Sequence, residues 1–469
     1  MLDKYVENYK DEIIKKTQEL IQIPSIVSTS NNPHHPFGEP INHALEYMLK
    51  LGKNLGFRTK NIDGYCGYLE FGTGKELIGI IGHLDVVPVD TDWTYPPFSG
   101  TIFNNRIYGR GAIDDKGPVI SSLFAMKIVM ETCQVHKRVR LILGLNKKND
   151  WKCIDYYKRR EEAPSLGFSP DADFPCTHCE KSILTTYLKM DYSTFLNKDI
   201  LIKEINTNNN PINVVPKTCS IILEIKNHKI TMCDLIKRLK YMIEENKYEI
   251  DIYKIDEKQV KLTSHGIASH AAHPNLGINA ISRLLVVLYK IFDFYEIHIE
   301  LLDFFYTYIN TQYNGENLEI NIEDESGKLT LNVGDIFLKH NMLQIGLNLH
   351  LPITVNMITI TSKFTKYTNA YWNIDFDIVS YKPAFYIPKT NNLVKTLCNI
   401  YNEEINSNLN PIAIGGSTYA RAFDNCIAFG PNFPGDKNMC HQTDEFIDID
   451  NLLLSCKLYA KAILALNNF

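Results

Sequence analysis

The chain has 469 residues, more than one hydrophobic core ordinarily organises, so two domains are expected. Hydrophobic residues make up 45% and charged residues 22%, the balance of a soluble globular protein. A net charge of -5, and no apolar run near the roughly 20 residues of a membrane span, argue against nucleic acid or a membrane as partner.

Eleven cysteines, odd in number and scattered, point to reduced thiols and a cytoplasmic setting. The opening residues Leu2-Asp3-Lys4-Tyr5 lack the apolar core of a signal peptide. Cys176-Thr177-His178-Cys179 is a lone C-x-x-C without a second ligand pair, and is read as incidental thiols.

In chain order, the apolar spacing predicts helices over about Asp11–Gln22, ended by Pro24, and Asn42–Leu55, closed by Gly56. Strands are predicted at Tyr65–Phe71 and Leu77–Ile81. The second is an unbroken apolar run, as in a sheet covered on both faces. It ends in Gly82-His83-Leu84-Asp85, at the strand mouth where open α/β sheets bind ligands. His83 and Asp85 are two apart and point the same way in extended backbone. That suits a metal-bound imidazole whose other nitrogen is steadied by a carboxylate.

Gly109–Gly117 follows, with Pro118 opening a helix whose buried stripe is Val119, Leu123, Met126 and Met130. Val139–Leu143 is the next strand, and strand–helix–strand in this order predicts a parallel pair. From about Leu184 the texture changes. Strands are expected at Ile200–Ile205, Cys219–Ile225, Leu343–Leu349 and Ile353–Ile360, and helices at Met232–Asn246 and Asn279–Phe294. Phe304–Val333 has little periodicity and reads as an elaborated insertion. Helices at Asn391–Ile405 and from Asp448 to about Asn467 return the α/β texture. The organisation expected is an α/β catalytic domain from residues 1–182 and 383–469, with an α+β lid inserted over 183–382.

Five stretches stand in a telling order. They are Gly82–Asp85, Gly109–Gly117, Ser169-Pro170-Asp171-Ala172-Asp173, Gly415-Gly416-Ser417-Thr418 and Phe433-Pro434-Gly435…His441. Together they resemble the metallopeptidase family of aminoacylase, carnosinase, succinyl-diaminopimelate desuccinylase and carboxypeptidase G, and within it the bacterial dipeptidase V type. The resemblance runs from about Ile21 to the C-terminus. It implies a two-domain co-catalytic metallopeptidase fold and hydrolysis of dipeptides. It also implies two divalent ions, zinc or manganese, that polarise the carbonyl and lower the pKa of a bridging water. A glutamate would serve as general base.

Carried over residue by residue, the resemblance makes His83, Asp114, Asp171 and His441 metal ligands. Asp85 becomes the group orienting His83, and Asp114 the bridging carboxylate. Asn213, in Asn-Val-Val-Pro, is matched to the asparagine that holds substrate, and His270 to the histidine that stabilises the oxyanion. Gly416 and Ser417 fall in the substrate-binding glycine-rich turn, with Ser417 where a third glycine is usual. The enlarged lid of the dipeptidase V type does the work of a dimer partner, so a monomer is expected.

The pattern breaks after Val139–Leu143. Two adjacent glutamates, the base and a ligand, are implied there, and the chain has Lys147 and Lys148. An ammonium has no lone pair with which to ligate or take a proton, and it repels a divalent ion. His350 stands where an arginine would read a substrate carboxylate, losing the bidentate fork. Three readings compete. One is a relative with impaired hydrolysis. Another is a dipeptidase repaired through Asp150 or a carbamylated Lys148. The third is a peptide- or partner-binding protein using the old cleft. One ion at Asp114, Asp171 and His441 is expected to remain, or none, with His83 sharing its ion with the position of Lys148.

Overall fold

A computed structural model describes residues 2–89, 91–226 and 230–469. The chain forms two compact units, an α/β unit and an α+β unit. The first is built from the chain up to Cys179, from Tyr386–Ile412 and from Ser417–Phe469; the second from Glu180–Phe385 and Ala413–Gly416.

The first unit is organised on a mixed sheet. Six of its strands run in the order Arg58–Ile62, Cys66–Phe71, Arg138–Gly144, Leu77–His83, Leu166–Ser169, Cys426–Ala428. The first three are antiparallel neighbours, and the rest pair in parallel. All seven residues of Leu77–His83 are buried, which is why the segment reads as an unbroken apolar run. Helices Gly117–Thr132 and Ile449–Asn467 pack on each other and on this strand. Helix Gly117–Thr132 does not bury one stripe as expected; Val119 through Met126 are all buried, while Met130 is only half-buried. A helix packed on several sides has no solvent face to pattern.

Two small pairings carry distant segments to the strand ends. Phe446–Asp448 pairs antiparallel with Arg106–Tyr108, holding the segment after His441 beside the Gly109–Gly117 loop. Pro431–Asn432 pairs in parallel with Ala172–Asp173, just after Asp171.

The second unit has two antiparallel four-stranded sheets. One runs Thr330–Lys339, Met342–Leu351, Ser182–Asp191, Asp375–Lys382; the other Ile200–Asn206, Thr218–Ile225, Gln259–His265, Ile250–Lys254. Thr218–Ile225 alternates buried and half-buried residues, the signature of a strand with one covered face. Helix Met232–Asn246 is capped by Thr231, whose hydroxyl accepts from the Asp234 amide, and Ala280–Phe294 by Asn279.

One expected strand is a helix. Ile353–Ile360 gives way to helix Met357–Thr368, capped by Asn356, whose side chain accepts from the Ile358 amide. Ile360, Phe364 and Thr368 form its buried stripe at four-residue spacing. The run of β-branched residues masked that period because it is itself strand-like. The first helix is also longer than expected, spanning Leu2–Ile21. No described helix is long and apolar enough to cross a membrane.

Candidate functional site

Strand ends and loops of the first unit bring six residues singled out in the sequence together. His83 is the last residue of Leu77–His83. Lys147 and Lys148 follow strand Arg138–Gly144, its parallel neighbour. Asp171 lies just beyond strand Leu166–Ser169. Asp114 sits in the turn between Gly111 and helix Gly117–Thr132, where Gly111 adopts a φ of 89° that a side chain would resist. His441 comes from the loop before Phe446–Asp448.

The turn carrying Asp114 is held by a residue that motif reading passed over. Glu445 is fully buried, and its Oε1 accepts from the amides of Gly111, Ile113 and Asp114 at 3.0, 3.1 and 3.2 Å. Its Oε2 accepts from Arg110 Nη1 at 2.6 Å. A carboxylate four residues after a candidate ligand histidine, in His441-Gln442-Thr443-Asp444-Glu445, was the available signal. Asp115 was passed over too: its Oδ2 accepts from the His83 amide at 3.0 Å.

The side chains form one buried ionic cluster. His83 Nε2 lies 2.9 Å from Asp114 Oδ1 and 3.8 Å from Asp171 Oδ1. Its Nδ1 lies 2.9 Å from the Asp85 carbonyl and 3.4 Å from the Asp85 carboxylate. Lys148 Nζ donates to both Asp114 oxygens, at 2.7 and 2.6 Å, and lies 3.2 Å from His441 Nε2. Lys147 Nζ lies 2.6 Å from Asp171 Oδ2. His441 Nε2 is 2.8 Å from Asp114 Oδ2. Asp85 also accepts the Lys148 amide, at 2.8 Å, so it ties the His83 strand end to the lysine turn.

The electrostatics follow from burial and these contacts. Burial and the Lys148 ammonium oppose protonation of His83, but the carboxylates of Asp114, Asp171 and Asp85 outweigh them and hold its pKa well above the ordinary imidazole value. Against burial, Lys148 and Lys147 hold the Asp114 carboxyl well below the usual range. Burial likewise opposes, and Lys147 lowers, the carboxyl of Asp171. Burial would lower Lys147, but Asp171 and Asp114 raise it above the ordinary amine range. Burial, then Lys148, pushes His441 down.

This arrangement corrects the pairing expected from sequence. His83 and Lys148 both reach Asp114 Oδ1, but His83 is grouped with Asp171 and Lys148 with His441. The ligand atoms of His83, Asp114 and Asp171 lie within 4.8 Å of one another, whereas Lys148 sits with Asp114 and His441. Asp150 is not in the cluster either; it is exposed and pairs with Lys152.

Tested against a two-ion centre, the donor set falls short. His83, Asp114 and Asp171 are spaced as three ligands of one divalent ion. On the other side Asp114 and His441 leave two donors, and the Lys148 ammonium lies against both. Charge opposes both places: a divalent ion about 4 Å from one ammonium meets ~8 kcal/mol of repulsion at an effective dielectric near 20. The residues present do not fit two ions.

In the second unit Asn213, His270 and His350 are brought near one another. The Asn213 carbonyl accepts from the Ala271 amide at 2.9 Å, and the His270 and His350 rings lie 5.7 Å apart. His350 is buried, with Nδ1 2.5 Å from the Gly415 carbonyl and Nε2 3.0 Å from Asn348 Oδ1. Burial, reinforced by His270, lowers its pKa to about 3. It is therefore neutral and already engaged by protein groups, unlike the charged fork that the resemblance leads one to expect there. Gly416 is half-buried beside Gly415; Ser417 Oγ accepts from Arg421 Nη1 at 3.1 Å.

A model of peptidase family M20/M25/M40 matches residues 79–146, from the strand carrying His83 to the residue before Lys147. The "Putative dipeptidase YtjP" of Bacillus subtilis (strain 168) is 35% identical over 460 residues, covering 97% of this chain and 97% of its own. The "Putative dipeptidase SH1171" of Staphylococcus haemolyticus is 30% identical over 472 residues, covering 99% of each. Among solved structures, the dipeptidase Dug1p from Saccharomyces cerevisiae has a TM-score of 0.62 at 12% identity, covering 100% of this chain and 98% of that one. Human carnosine dipeptidase 1 has a TM-score of 0.61 at 13% identity, with the same coverage. At such identities the structures speak for the fold alone.

Proposed function

Because this chain belongs to the M20/M25/M40 peptidase family, we propose that it is a dipeptidase-type member whose hydrolysis is impaired at the metal centre. One observation carries the reading: Lys148 Nζ sits 2.7 and 2.6 Å from the two oxygens of Asp114 and 3.2 Å from His441 Nε2. That is where a ligand carboxylate would have to stand beside the bridging one. The second observation supports it. At the general-base position Lys147 presents an ammonium paired with Asp171, a donor where the reaction needs an acceptor for the proton of water.

On this reading Asp114, Asp171, His83 and His441 are former ligands, Asp85 positions His83, and the lid group of Asn213 and His270 keeps the substrate-facing role. Dipeptides or similar small peptides are the ligand class, as the names of the two bacterial relatives suggest. His350 cannot supply the lost guanidinium, so the carboxylate end of a peptide is held less tightly. A cytoplasmic setting is part of the proposal; it is supported by eleven cysteines, none in a disulfide.

The test is an assay of purified protein on a dipeptide panel that includes β-alanyl-histidine, with zinc, manganese or cobalt added. The expected result is no metal-dependent turnover. Binding without turnover would show as a rise in Tm with dipeptide concentration and would favour the peptide-binding alternative. Metal-dependent turnover at rates ordinary for peptidases would overturn the impairment.

A further inference from the structure

We infer that the Lys147 and Lys148 ammonium groups are this chain's own replacement for the two divalent ions of its family, so that the site is assembled by fixed protein cations and takes no metal. The inference rests on the reading of an impaired hydrolytic centre. It adds what now holds that centre together.

Three observations carry it. Two buried carboxylates face two ammonium groups one to one. Asp114 and Asp171 side chains are 5% and 6% exposed, and the Lys148 and Lys147 side chains are each 12% exposed. Buried carboxylates without cations would be costly, and in this family the cations are ordinarily ions from solution. Here the counter-charge is covalently attached.

The contacts also imitate coordination. Lys148 Nζ engages both oxygens of the bridging aspartate and stands within 3.2 Å of His441 Nε2, so one ammonium joins two former ligands as an ion would. An ammonium carries three N–H donors and can serve such a set of acceptors.

Finally, the lysines are built into place rather than resting there. The turn that presents them is tied down at both sides. The Lys148 amide donates to Asp85 Oδ2 at 2.8 Å, and Trp151 Nε1 donates to the Lys147 carbonyl at 2.8 Å. Asn146 Oδ1 accepts from the amides of Asp150 and Trp151, both at 3.1 Å. An incoming ion would have to displace a charged side chain whose backbone is anchored, and whose carboxylate would keep only histidine contacts in the cluster.

The experiment measures metal content by elemental mass spectrometry after exchange into metal-free buffer, and Tm with EDTA, manganese or zinc. The expected result for the wild type is negligible bound metal and a Tm that neither EDTA nor either ion moves. One or two ions retained per chain, or a Tm that falls with EDTA, would overturn the inference. The Lys147→Glu, Lys148→Glu double variant removes both ammonium groups and restores a carboxylate at the ligand position and at the base position. It should bind close to two manganese ions, and its Tm should rise by about 5 °C or more on adding them. A folded double variant that binds no metal would also overturn it. Should that variant fail to fold, Lys148→Met removes one cation alone and should lower Tm in EDTA; an unchanged Tm counts against the inference. Metal-independent dipeptide turnover by the wild type would sink the proposed impairment and leave this inference standing. Bound metal without turnover would do the reverse.

Discussion

Replacing Lys148 by Met tests the ionic cluster most directly. At about 2.7 Å a unit charge pair has ~6 kcal/mol of gross attraction at an effective dielectric near 20. Desolvating both partners takes back several kcal/mol, so a net coupling of about 2–3 kcal/mol is expected. The single variant costs more than the coupling, because it strands a buried carboxylate. Asp114 is 5% exposed, and its loss of Lys148 leaves His83 and His441 as its remaining contacts in the cluster. A destabilisation of about 3–5 kcal/mol follows, or a Tm lowered by roughly 6–12 °C. Asp114→Asn should cost a similar amount by stranding the ammonium. The double variant should cost clearly less than the sum, since each change removes the other's orphan. Urea unfolding of the four proteins in EDTA, compared at constant m, closes the cycle. A coupling below about 0.5 kcal/mol, or a Lys148→Met variant within about 1 kcal/mol of the parent, would refute the cluster as drawn.

Glu445→Ala removes the acceptor of three backbone amides and the partner of Arg110, and should cost about 3–5 kcal/mol, while Glu445→Gln, which keeps an acceptor oxygen, should cost less; chemical denaturation compares the two. Phe364→Ala should destabilise by about 3–5 kcal/mol and Ile358→Ala by no more than about 0.5, because Phe364 is 0% and Ile358 66% exposed on helix Met357–Thr368; equal effects would contradict that helix. His350 is held neutral in the fold, with its pKa lowered to about 3 from an ordinary 6.5. Its contribution is therefore present above pH 6.5 and is lost as pH falls toward 3. Between pH 7 and 5 the loss is about 2 kcal/mol, and His350→Gln should flatten that part of the stability profile measured by urea midpoints.

Much of the fold was legible because local signals agreed with burial. A helix is expected over about Met232–Asn246 and forms there, with the structure adding the cap at Thr231. The doubly covered strand Leu77–His83 announced itself by an apolar run that no amphipathic element would carry. Met357–Thr368 was misread because its β-branched residues argue for a strand while its cap and its contacts decide for a helix. Glu445 was missed because its work is done on backbone amides more than 300 residues away, so its place four residues after His441 says nothing of the turn it holds.

By itself, the sequence determined the family, the α/β class and the charge reversal at Lys147 and Lys148. These are matters of residue identity and order, and ordered motifs survive without coordinates. Only the tertiary structure decided what the reversal does. Both lysines could have turned outward to solvent; instead the strand ends and the anchored turn aim them at Asp171 and Asp114. Only it decided, too, that His83 pairs with Asp171 rather than with the position of Lys148. Which charges meet inside a fold depends on separations through space, and a buried charge pair a few ångströms apart is worth far more than the same pair in water.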